Sequence, residues 1–252
     1  MKKILLKLSL ALLLACESKL NEQTADIENV GLEDLVTIGD EQFQILDHIS
    51  ELEQGLIEAG LIDVAKAIPE VYVDLKYSTT DNFFGKDVYG DLTRCYLQPV
   101  VVDMLQKALT QLKEEHPELT FLIYDGVRPL SVQQILWDEL DKPDSIKPLY
   151  VADPKVGGLH NFGVAVDLTL AAADTGEPLD MGTPFDYFGY PAYPDREAQM
   201  LQEGKITRQH ITNREILRKA MKAGGFTGIG SEWWHFNAFS RKEAGEKFGL
   251  VK

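Results

Sequence analysis

The chain reads as an α+β protein with one main domain. Two observations predict this: segments of helical period and segments of strict alternation follow one another without regular βα order, and no repeat of fixed period appears. The composition agrees. The chain has 252 residues and is 44% hydrophobic, 9% aromatic and 26% charged, which suits a globular chain that builds its own core.

Taken in order, Phe43, Leu46, Ile49, Leu52 and Leu56 fall at helical spacing, with Gly60 as a stop. Val71 to Leu75 alternates like a strand. Apolar residues at 101, 102, 104, 105, 108, 109 and 112 predict a helix whose first turn accepts Pro99. Leu119 to Tyr124 is a short apolar strand. Ser131 and Gln134 fit a capping box opening a helix through Leu140. Val164, Val166, Leu168 and Leu170 alternate with Ala165, Asp167 and Thr169, a strand with an apolar face and a face carrying Asp167. A helix over 208–223, stopped by Gly224 and Gly225, precedes a strand near 226–237.

The N-terminal segment is read apart. Residues 1–15 place Lys2, Lys3 and Lys7 around an apolar run of 12 residues, too short for a bilayer span and typical of an export signal. Leu13-Leu14-Ala15-Cys16 resembles a bacterial lipobox, which implies cleavage before Cys16 and lipidation of that cysteine. Residues 16–42 carry eight acids against Lys19 alone and read as an acidic tether. The expected organisation is therefore a lipoprotein signal over 1–15, a tether over 16–42 and a domain over 43–252, in the cell envelope on the periplasmic side.

Charge and cysteine content exclude several classes. The formal net charge is -15; losing residues 1–15 with three lysines leaves 22 basic against 40 acidic side chains, or -18. A phosphate backbone would be repelled, so no nucleic-acid partner is expected. Two cysteines permit neither a disulfide scaffold nor a cysteine-built metal cluster. Any metal must be held by His, Asp or Glu.

Three segments carry candidate chemistry. In the first, His160 precedes the alternating strand and Asp167 projects from its polar face. A carboxylate among Val and Leu needs a partner, which a metal ion supplies. The plain alternative is a solvent-facing aspartate and a loop histidine, and this segment alone does not choose. The second is Ser231-Glu232-Trp233-Trp234-His235. Two histidines and one aspartate form a donor set suited to zinc with one position left for water. Glu232 is then a candidate base. The third is Tyr124-Asp125-Gly126-Val127-Arg128-Pro129, where a guanidinium could offset charge on a carbonyl oxygen or simply form a surface ion pair.

His160-x-x-Gly163-x-Ala165-x-Asp167 and Glu232-Trp-Trp-His235 together resemble the VanX-type D-alanyl-D-alanine dipeptidases, zinc enzymes related to D-Ala-D-Ala carboxypeptidases and hedgehog domains. The likeness continues through Asp74 to Gly85, Asp125 to Pro129 and Met181 to Asp186, covering about residues 61–240 in the family's order. It implies a hedgehog/DD-peptidase-like fold with a mainly antiparallel sheet flanked by helices, and one Zn²⁺ per chain on His160, Asp167 and His235. It also implies Glu232 as general base, Arg128 as transition-state cation, and Asp186 with Tyr77 as holders of the substrate's free ammonium.

The resemblance implies hydrolysis of a small dipeptide, D-Ala-D-Ala. Two departures bear on this. Gly158 stands where the family commonly has serine, removing a hydroxyl that could bond the substrate. The export signal also sets this chain apart from cytoplasmic members that confer vancomycin resistance, so cell-wall peptide salvage is the expected role. The alternatives are a D,D-carboxypeptidase or endopeptidase on peptidoglycan stems, and a metal-stabilised peptide-binding lipoprotein without turnover. His48, His116 and His210 read as surface or cap residues, Trp137 as core, and Cys95 as a small buried hydrophobe.

Overall fold

A computed structural model describes residues 49–149 and 151–252. The segments expected to form a lipobox and an acidic tether, His48 and the first turns of the helix expected from Phe43 lie outside the described residues. Helix α1 (Glu51–Glu58) begins at a reciprocal cap: Ser50 Oγ accepts from Glu53 N, and the Glu53 carboxylate accepts from Ser50 N. Glu53 is fully buried, yet its oxygens also accept from Thr93 N, Arg94 N and Arg94 Nη1, so the charge is matched. Strand β1 (Ile62–Asp63) runs into the single turn α2 (Val64–Ala67) and pairs antiparallel with β3 (Tyr96–Leu97).

The main sheet has five strands in the order β2–β4–β5–β7–β6: β2 (Tyr72–Val73), β4 (Leu119–Asp125), β5 (Ala165–Ala172), β7 (His235–Asn237) and β6 (Thr227–Gly228). β2 runs parallel to β4, and every other pairing in this sheet is antiparallel. The protein is thus α+β with a mainly antiparallel sheet, as its sequence predicts. Helix α3 (Pro99–Glu115), with Pro99 in its first turn, packs on β4 and on helix α6 (Arg208–Gly224), which also touches β5. The two helices approach closely where Gly224 faces Met104 and Ala108; a Cβ there would stand 2.5 Å from the Met104 carbonyl oxygen. Residues Ser50–Lys252 form one compact unit, whose core includes Leu105, Leu109, Phe121, Ile123, Leu168 and Leu217.

Four expectations need correction. The strand at 71–75 narrows to β2, and Leu75 instead caps a 3₁₀ turn over Lys76–Ser78. Helix α4 (Leu130–Glu139) has no side-chain cap from Ser131, which sits inside its first turn. Leu130 N donates to Val251 O, so a distant backbone carbonyl takes the cap's place, and Gln134 turns to Asp138. The strand near 226–237 is two short strands, β6 and β7, paired with each other; the Trp pair and Glu232 lie in the reversal between them. Trp137 is half-buried rather than core, its ring under the Lys147 ammonium. By contrast Cys95 is buried, and His210 closes a reciprocal cap with Thr207 at the start of α6. Helices α5 (Glu197–Gln202) and α7 (Arg241–Lys247) complete the described elements.

Candidate active site

Strand register brings the metal-type donors together. Asp167 of β5 and His235, the first residue of β7, are direct antiparallel partners, so their side chains share a face. His160 arrives from a 3₁₀ turn, His160–Phe162, just before β5. Gly163 ends that turn at φ +67°, a conformation glycine accepts without strain. The inner atoms converge: Asp167 Oδ1 lies 2.9 Å from His235 Nδ1 and 3.4 Å from His160 Nε2, and the two nitrogens are 3.3 Å apart. His160 and Asp167 are buried, while His235 is partly open to the cleft.

The outer ring nitrogens are spoken for. His160 Nδ1 lies 2.7 Å from Gly126 O, and His235 Nε2 lies 2.8 Å from Asn237 Oδ1. Both partners accept, so both outer nitrogens donate, and in the neutral form of each ring the inner nitrogen presents a lone pair to the point shared with Asp167. Three lone pairs facing one point need a cation. The donor set, two imidazoles and a carboxylate, suits zinc. Against the effect of burial, His160 and His235 hold the Asp167 carboxyl far below its usual range, so it stays ionised. Burial lowers the His235 value, but Asp167 and Glu232 outweigh it and push it up to about 9, so a proton competes with a metal ion for this ring.

A β-bulge supplies the next layer. The β4–β5 register shifts between Ile123 and Asp125, so Asp125 rather than Tyr124 stands opposite Asp167. Asp125 is fully buried and accepts from Tyr89 Oη at 2.5 Å, Gly126 N at 2.8 Å, and both Nε (3.1 Å) and Nη2 (2.5 Å) of Arg128. Arg128 is therefore no surface ion pair. Its guanidinium is buried, 4.9 Å from the centre of the Tyr77 ring. Burial alone would lower its pKa, but Asp125 and its neighbours hold the cation charged. Asn161 fixes the same corner: its amide donates to Arg128 O at 2.6 Å and its oxygen accepts from Gly158 N at 2.5 Å.

Opposite stand Glu232, Asp186 and Tyr77. Glu232 Oε2 is 3.9 Å from His235 Nδ1, and burial raises its carboxyl above the ordinary value. Tyr77 Oη donates to Asp186 Oδ2 at 2.8 Å. Burial, with the Asp167 charge nearby, pushes the Asp186 carboxyl well up. Asp186 has φ +57°, alone among the described non-glycine residues in being positive. All seven side chains named for the site in the sequence line one cleft of about 310 Å³.

The chain matches peptidase family M15, described as D-Ala-D-Ala dipeptidase, over residues 57–247. It belongs to that family. The D-alanyl-D-alanine dipeptidase of Escherichia coli is 36% identical over 176 residues, 70% of this chain and 83% of the relative. That of Enterococcus faecalis is 29% identical over 197 residues, covering 71% and 92%, and that of Streptomyces coelicolor is 30% identical over 178 residues, covering 65% and 83%. The chain is thus a peptidase. M15 peptidases are zinc-dependent in general, and the His–Asp–His group is a fitting metal site. What the sequence reading missed in this M15 site is its supports: Asp125, Tyr89, Asn161 and Asn237. An acid three residues before Arg128 at a strand end was the available signal for the first.

Proposed function

We propose that this chain is a zinc-dependent D-Ala-D-Ala dipeptidase, with zinc held by His160, Asp167 and His235. The observation that carries the reading is one cleft in which a convergent donor set stands beside Glu232 and Arg128 and faces the Tyr77–Asp186 pair. Names of the relatives support the substrate.

Zinc, when bound, supplies Lewis acidity that makes a water reactive near neutral pH. Glu232 takes the proton of the attacking water and passes it to the departing amine, a shuttle helped by its raised pKa. Arg128, fixed by Asp125, balances the negative charge that grows on the carbonyl oxygen. Asp186 and Tyr77 receive the substrate ammonium. A substrate with a blocked amine would bring no cation to that buried carboxylate, so selection for free dipeptides follows. Gly158 offers no hydroxyl, and a Cβ there would come within 3.1 Å of the Ala152 methyl, so serine would crowd this wall.

Upstream, we propose export and lipid anchoring at Cys16, which would hold the enzyme at the periplasmic side of the envelope and suit salvage of cell-wall dipeptide. The lipobox likeness and the acidic residues after it support this.

The test is hydrolysis of D,D-, L,D- and L,L-dipeptides and of N-acetyl-D-Ala-D-Ala, with chelation and zinc re-addition. Free D-Ala-D-Ala should be cleaved, chelation should abolish turnover, and zinc should restore it. Equal rates on the N-acetylated form would favour a stem-trimming carboxypeptidase instead; binding by the zinc-loaded chain without product would make it a binding protein. Metabolic labelling with palmitate, lost in Cys16→Ser, tests the anchor.

A further inference from the structure

We infer that Arg214 is a positioning residue for substrate recognition: it sets the loop that carries Asp186. The inference rests on the reading of Asp186 given above. Arg214 lies on α6 and is wholly buried, a setting in which a guanidinium needs every direction satisfied. Nε donates to Met181 O at 2.8 Å, and Nη2 donates to Pro191 O at 2.9 Å. Those carbonyls stand five residues before and five after Asp186. One planar fork therefore grips both ends of the segment whose midpoint holds the amine-binding carboxylate.

The remaining contacts extend the grip. Nη1 faces Glu197 Oε1 at 3.5 Å, and the same carboxylate is held by Arg218. The guanidinium carbon lies 5.8 Å from the centre of the Trp233 ring, and Trp233 Nε1 donates to Thr183 Oγ1 at 2.8 Å, inside the loop. Trp233 adjoins Glu232 in the chain. Asp186 is in a left-handed backbone conformation, uncommon outside glycine though easier for aspartate than for most residues, so its surroundings help to select it. Arg214 contributes to that selection from behind, without touching substrate.

The test uses zinc-loaded Arg214→Lys and Arg214→Met, assayed well below their melting temperatures. Lysine keeps the charge but cannot reach both carbonyls. We expect KM for D-Ala-D-Ala to rise about tenfold or more, with kcat within about threefold and zinc content unchanged, since small misplacements of a binding group are costly. The preference for free over N-acetylated dipeptide should fall by the same factor. A lower melting temperature with unchanged KM would overturn the inference and leave Arg214 a stabilising residue. If neither variant folds, Thr183→Val, which cuts the loop's bond to Trp233, carries the test: KM must rise at constant kcat, and an unchanged KM refutes it. Failure of the Asp186 reading looks different, because wild-type enzyme would then already cleave the N-acetylated dipeptide as fast as the free one.

Discussion

His160, Asp167 and His235 sit on or beside strands in direct register, whereas Asp186 sits midway along a loop with no strand or α-helix of its own. On the sheet side, β5–β7 pairing brings Asp167 and His235 together, the turn before β5 delivers His160, and the bulge in β4 sets Asp125 opposite Asp167. On the loop side no strand pairing does so; the segment is bonded from α6 at both ends, Tyr77 Oη donates to Asp186, and the Phe185 ring packs near those of Tyr77, Tyr124 and Trp234. On the proposed reading, the reactive centre rests on strand register while selection for a free amine rests on a loop held from α6.

Substitutions on the two sides should separate these roles. Glu232→Gln should have the largest effect, lowering kcat by about 10²- to 10⁴-fold with zinc content unchanged; near-normal turnover would remove Glu232 as the base. Arg128→Ala should lower kcat by about 10²- to 10³-fold, with a smaller change in bound zinc measured by atomic emission. Asp186→Asn probes the loop cleanly, because asparagine tolerates the left-handed conformation while losing the charge. Its KM for the free dipeptide should rise about tenfold with little change in kcat, reflecting one lost charge-assisted contact. Away from both sides, Gly224→Ala should destabilise the fold by about 1–3 kcal/mol in denaturant unfolding, because its methyl meets the Met104 backbone. Activity per folded molecule should stay the same.

The same division governs what could be read from the sequence. Asp167 betrayed itself as an acid on an apolar alternating strand, and Pro99 and Gly225 marked helix ends correctly because those signals are local. Ser131 misled because its helix is capped by Val251, more than a hundred residues away in sequence. The Ser50–Glu53 box is local and was available, but the apolar period continuing through Ile49 hid the cap that precedes Glu51. The bulge that turns Asp125 onto the site leaves no trace in residue types. Nor does the buried Arg214, which looks like any basic residue on an amphipathic helix until both carbonyls appear beside it.

The tryptophan pair has a practical consequence. Of three tryptophans in the chain, Trp234 lines the cleft against Phe185, and Trp233 is tied to Thr183. Two of the three indoles therefore sit at the junction of the two sides, while Trp137 lies on α4 under Lys147. Cation loading and ligand capture should each perturb the intrinsic fluorescence, giving an optical titration of the site without any added dye.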